Sequence, residues 1–153
     1  MPFLPRRSCA FALLAPVLLA LAACGGGANP AADSLPAAGS TSVPAALAGN
    51  WLLESLAQPG QPTVRPVEAD RFTAAFETDG RLRLRADCNS CASSYVAGSA
   101  SLEISPMACT RAYCSSAPVD TDFAMLVAGA KTWSVESGKL TLRSEEGVVT
   151  LRR

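Results

Sequence analysis

Alternation of apolar and polar positions dominates the second half of this chain. Arg81-Leu82-Arg83-Leu84-Arg85-Ala86 alternates without an error, so Leu82, Leu84 and Ala86 share one face and three arginines the other. Phe72-Thr73-Ala74-Ala75-Phe76 precedes it, and Asp79-Gly80 between the two runs is a hairpin signal. Earlier, Trp51-Leu52-Leu53-Glu54-Ser55-Leu56 is a short apolar run closed by the loop Gln58-Pro59-Gly60-Gln61-Pro62. Tyr95-Val96-Ala97 leads through Gly98-Ser99 to Leu102-Glu103-Ile104, a second hairpin that Pro106 stops. Thr132 to Glu136 alternates, Ser137-Gly138 turns, and Leu140 and Leu142 alternate again. Glu145-Glu146-Gly147 turns once more before Val148-Val149-Thr150-Leu151. One window has helical spacing, Pro118 to Ala130, with Phe123, Leu126, Val127 and Ala130 on one stripe. Asp120 and Asp122 fall in its first turn, where acids suit the helix dipole, and Lys131 closes it. The pattern predicts a mainly β (α+β) fold: a small antiparallel β-barrel-like meander of about eight strands plugged by one helix. Trp51 and Trp133 lie on alternating runs and are expected in its core.

The N-terminus reads differently. Met1 to Arg7 carries two arginines and no acid, and Cys9 to Ala23 is apolar with Pro16 inside it. A bilayer-spanning helix needs about 20 apolar residues, so this segment is expected to be a signal peptide over 1–23. Leu21-Ala22-Ala23-Cys24 followed by glycines resembles a bacterial lipobox. The resemblance implies cleavage before Cys24 and a diacylglycerol on its thiol. Two or more acyl chains hold a protein stably on a membrane, where one binds marginally. Gly25 stands where the sorting rules for such signals favour the outer membrane unless Asp is present. Residues 24–46 are mostly Gly, Ala, Ser and Pro with the single charge Asp33, a composition expected to form a flexible tether of about 25 Å reach. The folded domain is expected over 47–153. The predicted location is the periplasmic face of the outer membrane, with the membrane itself as a partner through the lipid.

Composition narrows the chemistry. Basic and acidic residues balance at 13 each, and loss of Arg6 and Arg7 with the leader leaves a small acidic excess. That balance excludes the basic footprint of a nucleic-acid partner. Histidine is absent, which removes His-based acid–base catalysis, Ser-His-Asp and Cys-His nucleophiles and His-ligated metals. Asp120 and Asp122, two apart on a helix, do not share a face and make a poor acid–base pair.

Cys9 belongs to the leader and Cys24 to the lipid, which leaves Cys88, Cys91, Cys109 and Cys114. In an exported chain four cysteines read as two disulfides, and their spacing leaves all three pairings open. Cys88-Asn89-Ser90-Cys91 also has redox-motif spacing, although reactive pairs of that kind sit at helix N-termini and this one lies between strands. A zinc site of four thiolates belongs to reducing compartments. The outward row Arg81, Arg83 and Arg85 is either a solvated strand face or a surface for an anion or charged lipid. Asn89, Thr110 and Arg111 are candidates for a polar ligand site between the cysteine loops; the alternative is that they satisfy turn backbones.

Several of these segments resemble the META/HslJ-like domain. They are Trp51-Leu52-Leu53, Phe72-Thr73 with Phe76, Asp79 to Leu82, Asp87-Cys88-Asn89, Tyr95 and Leu102-Glu103-Ile104. Met107 to Cys114, Phe123 with Leu126, Trp133, and Leu140-Thr141-Leu142 before Gly147 continue the match, which spans about Leu47 to Leu151. The resemblance implies a small β-barrel-like domain, often on a bacterial lipoprotein, linked to heat shock, antibiotic tolerance and, in some organisms, motility or virulence. The family has no established catalytic residues, so none is carried over here, and no cofactor is expected. Two-cysteine members keep the positions of Cys88 and Cys114, which implies the nested pairing Cys88–Cys114 with Cys91–Cys109. A glycine common in the family near Ser93-Ser94 is absent, which affects the local turn and not the fold. The expected function is a non-enzymatic, stress-related binding or structural module with an envelope protein or small ligand as partner. The alternatives are a periplasmic thiol oxidoreductase using Cys88 and Cys91, and an inhibitor or carrier of a small apolar ligand.

Overall fold

A computed structural model describes residues 42–115 and 118–153. The leader, the lipobox with Cys24, and the tether as far as position 41 lie outside the described residues. The chain order is β1 (Gly49–Ala57), a single 3-10 turn (Ala69–Arg71), β2 (Phe72–Phe76), β3 (Arg81–Ala86), β4 (Asn89–Ala97) and β5 (Leu102–Ile104). Then follow β6 (Ala108–Cys109), α1 (Val119–Ala128), β7 (Thr132–Glu136), β8 (Lys139–Arg143) and β9 (Val148–Arg152).

The strands form one antiparallel path, β5-β4-β3-β2-β1-β9-β8-β7, with β6 set beside β4. Two hairpin runs, β2 to β5 and β7 to β9, are joined where β1 meets β9 across almost the whole domain sequence. The two ends of the path then approach each other. Ser101 bridges Thr132, the Leu102 N–H donates to the Lys131 carbonyl at 2.8 Å, and the Trp133 N–H donates to the Ala100 carbonyl at 2.9 Å. This seam nearly closes the barrel and leaves little unpaired edge. The fold is thus the mainly β, helix-bearing barrel that the alternation predicts.

The side chains divide as the pattern requires. On β3, Leu82, Leu84 and Ala86 are buried and Arg81, Arg83 and Arg85 exposed. Trp51, Leu53, Leu56, Phe76, Leu140, Leu142, Val149 and Leu151 fill the interior. Each fully buried Leu, Val or Phe contributes roughly 1.5–3 kcal/mol. From α1, Phe123, Leu126 and Val127 enter the core, and Phe123 meets Phe72 edge to face with ring centres 6.1 Å apart. Trp51 is fully buried and donates its ring N–H to the Leu47 carbonyl at 2.8 Å. Arg153 caps the same ring, 4.2 Å from its centre, and donates to the Ala46 and Ala48 carbonyls. Entry and exit of the chain are therefore tied together. Trp133 is buried with its ring N–H on the Gly98 carbonyl at 3.1 Å.

Some boundaries differ from the sequence reading. The helix ends at Ala128 with Gly129 as its cap; Lys131 lies beyond it and gives its N–H to the Arg143 carbonyl, as part of the sheet. β4 starts at Asn89, six residues before Tyr95, because its small polar residues pair with β3 rather than bury their own surface. β6 is too short to show any period. Ser93 and Ser94, at the family's missing glycine, stay within β4 and hook onto Ser105 through hydroxyl contacts of 2.7 and 2.9 Å.

Two turns depend on backbone geometry. Ser137 and Gly138 both have positive φ, the signature of a tight type I′ hairpin that matches strand twist. Gly147 packs so close to β1 that a Cβ would collide with the Ala57 carbonyl oxygen and crowd Leu126.

Candidate ligand-binding cleft

The site begins at the β3–β4 hairpin. Asp87 sits at φ 58°, a left-handed position that Asp tolerates better than most residues. Its side chain is fully buried and ion-paired with Arg71, and its N–H donates to the Arg71 carbonyl at 2.9 Å. Hydrogen bonding to Glu68 is the main influence that raises the Arg71 pKa, with the charge of Asp87 adding to it. The next residue, Cys88, is bonded to Cys114, and Cys91 on β4 is bonded to Cys109, its register partner on β6. These are the nested bridges that the family resemblance implies. They span 26 and 18 residues. Each closes a loop worth about 3–3.5 kcal/mol of unfolded-state entropy, and nesting makes the two less than additive.

Asn89 organises the segment between them. Its Oδ1 accepts from the Ala112 N–H at 2.7 Å and the Thr110 hydroxyl at 3.1 Å, and its Nδ2 donates to the Ala112 carbonyl at 3.1 Å. One amide thus completes both backbone groups of Ala112, as a strand neighbour would. Thr110 takes the Ser90 N–H on its hydroxyl at 3.0 Å and returns its own N–H to the Ser90 carbonyl.

A cleft of about 450 Å³ opens between this disulfide-tied strap and α1. Met107, Arg111 and Ala112 form one wall, Ala124, Met125 and Ala128 the other, and Ala86, Asn89 and Asp120 lie deeper. The three predicted polar residues therefore share one cavity, in different roles. Asn89 and Thr110 are committed to backbone and to each other. Arg111 is exposed and has no ion pair among the described residues.

Asp120 is the residue that sequence reasoning missed. It is not a solvent-facing first-turn acid: it is only 7 % exposed and points into the cleft. Its Oδ2 accepts weakly from Asn89 Nδ2 at 3.4 Å, while Oδ1 is buried without a hydrogen-bond partner among the described residues. The signal was present, because Asp120 lies three and seven residues before Phe123 and Val127 and so on the apolar stripe itself. Asp122 is two residues away and lines a different depression.

Other candidate features resolve into structure. The arginine row is a solvated face, partly neutralised: Arg81 pairs with Glu77 at 3.0 Å and Asp79 at 2.7 Å, Arg83 pairs with Glu77 at 2.9 Å, and Arg85 donates to the Asp87 carbonyl at 3.3 Å. The Arg81 backbone N–H, followed by its guanidinium, draws the Asp79 pKa below its usual value. Tyr95 is buried against Phe76 with its hydroxyl on the Glu77 carbonyl at 2.8 Å, and burial pushes its pKa up to about 12. The Cys-x-x-Cys cysteines belong to separate bridges, one at a hairpin turn and one inside a strand. Neither lies at a helix N-terminus, the setting that lowers a thiol pKa. With all four sulfurs paired, no thiolate set for zinc exists among the described residues.

The model of the META domain matches residues 45–153. The chain belongs to the META domain family. No curated protein matches it. Among solved structures, this META domain resembles the NMR structure of a protein from Burkholderia xenovorans, with a TM-score of 0.54 and 16% identity. That match covers 69% of this chain and 81% of the other. A DUF4847 family protein from Bacteroides vulgatus, known from a crystal structure, aligns with a TM-score of 0.50 and 12% identity, over 69% of this chain and 92% of its own. At such identities the likeness shows the fold alone.

Proposed function

We propose that this META domain is a non-catalytic, stress-related binding module of the bacterial envelope, held at the periplasmic face of the outer membrane by lipid on Cys24. The observation that carries the reading is the cleft wall. Its residues 108–113 are all exposed and bury too little surface to order themselves, and two disulfides and one asparagine hold them in place. Fixing a wall that the core does not need suits recognition, since a preorganised site loses less entropy on binding. Persistent disulfides suit an oxidising compartment, in agreement with the leader and lipobox-like segment.

Two measurements test it. Metabolic labelling with an alkyne fatty acid should mark the wild-type protein and not Cys24→Ser, with wild type in the membrane fraction and the four domain cysteines resisting alkylation until reduced. Photo-crosslinking residues introduced at Arg111 and Met125 should trap a partner or ligand in intact cells under envelope stress, while one at Glu136, at the far end of the β7–β8 hairpin and outside the cleft lining, should not. A cytosolic protein with free thiols, or crosslinking that ignores position, would overturn the proposal.

A further inference from the structure

We infer that the cleft takes a small aliphatic primary amine, seating its ammonium on Asp120 and its alkyl body between Met107 and Met125. The inference rests on reading the cleft as a binding site and adds the class of ligand. Asp120 is more than nine-tenths buried, yet one of its carboxylate oxygens has no hydrogen-bond partner among the described residues. A buried acceptor left unpaired is costly, more so when charged, and such groups are normally satisfied. Asp120 lines the cleft while Oδ1 itself is closed to solvent, so a donor entering the cleft reaches the carboxylate by a small turn of the side chain toward the cavity. Asn89 Nδ2 cannot supply a second bond: it already faces the Ala112 carbonyl at 3.1 Å and Cys114 Sγ at 3.1 Å, besides its long contact with Oδ2.

The rest of the cavity selects the ligand's body. Met107, Ala124, Met125 and Ala128 offer an apolar surface from both walls, and the volume of about 450 Å³ falls within the roughly 300–1,000 Å³ of small-molecule sites. Methionine adapts to irregular aliphatic shapes without a fixed steric demand. An ammonium bonded to a buried carboxylate gains a charge-assisted hydrogen bond in a medium less screening than water. Arg111 stands at the rim, exposed and without an ion pair among the described residues, so an anionic group at the far end of the ligand gains a partner there. A second ammonium would meet its repulsion. An amine carrying a distal carboxylate is therefore favoured over a diamine.

The test is an NMR titration of the intact protein in detergent micelles, following the amides of Asn89, Arg111, Asp120 and Ala124. The probes are n-butylamine, butanamide, butanoate and 6-aminohexanoate. Butylamine and 6-aminohexanoate should give saturable shifts at all four positions, with butanamide and butanoate at least about tenfold weaker, the loss expected for one charged hydrogen bond. Asp120→Asn should remove the preference for butylamine over butanamide. Arg111→Gln should weaken 6-aminohexanoate about threefold, as befits an exposed ion pair, and leave butylamine unweakened. If Asp120→Asn does not fold, Ala124→Leu fills the cleft from the helix side and should abolish the butylamine shifts. Equal binding of butanamide, butanoate and butylamine overturns the amine assignment while leaving the cleft a binding site. Absence of shifts with every probe also overturns it, and crosslinking from Arg111 and Met125 then judges the binding reading separately.

Discussion

The β7–β9 meander and the strap from Ala108 to Cys114 are built on opposite principles. In the meander, five-residue strands pair in unbroken register through a type I′ turn, and Trp133, Leu140, Leu142, Val149 and Leu151 face the core. It carries no covalent link. In the strap, β6 is two residues long, and Thr110, Arg111, Ala112 and Tyr113 are all exposed. Two bridges and the Asn89 amide do there what burial does elsewhere. The difference shows how a small barrel can present a defined cleft beside its core: hydrophobic packing makes the barrel, and covalent closure holds an exposed wall against it.

The largest predicted effect comes from breaking the packed half. Phe123→Ala removes the helix plug's ring from the core and should cost about 3–5 kcal/mol, seen as a loss of global stability in denaturant melts. Cutting the strap should act differently. Cys91→Ala with Cys109→Ala should cost about 3 kcal/mol at most. In hydrogen exchange the amides of 108–114 should lose protection while β7–β9 keep theirs. Uniform loss across both regions would erase the contrast. Asn89→Ala gives the Ala112 N–H and carbonyl over to water and should cost about 1 kcal/mol, again localised to the strap. Tyr95, on β4 outside both regions, makes the stability of the whole barrel depend on pH. Its pKa is raised by burial to about 12, so the neutral form is favoured in the folded state. Its contribution is complete below the unfolded value near 10 and is lost as pH rises towards about 12; Tyr95→Phe should flatten that part of the stability profile. The smallest change is Ser137→Asn, which suits a left-handed turn position and should stabilise the meander by a few tenths of a kcal/mol, about 0.3.

Legibility in the sequence followed the same division. The meander could be read directly because each strand has period two and each turn has its own chemistry. The strap could not, since β6 has no period and its residues belong to the sheet only through partners about 20 positions away. The candidate site was half legible. Asn89, Thr110 and Arg111 do reach one cleft, but two of them serve the backbone. Asp120, hidden among helix-dipole acids by its position, proved to be the buried group.

By itself the sequence determined the barrel class, the inward faces, the single helix and the membership signalled by the cysteine segments, because these follow from local periodicity and composition. Only the tertiary structure decided that β1 lies against β9, that β5 and β7 close the barrel at Ser101 and Thr132, and that Asp120 turns inward beside Asn89. Those outcomes depend on which distant surfaces exclude water together, and that is a property of the whole packed chain rather than of any window along it.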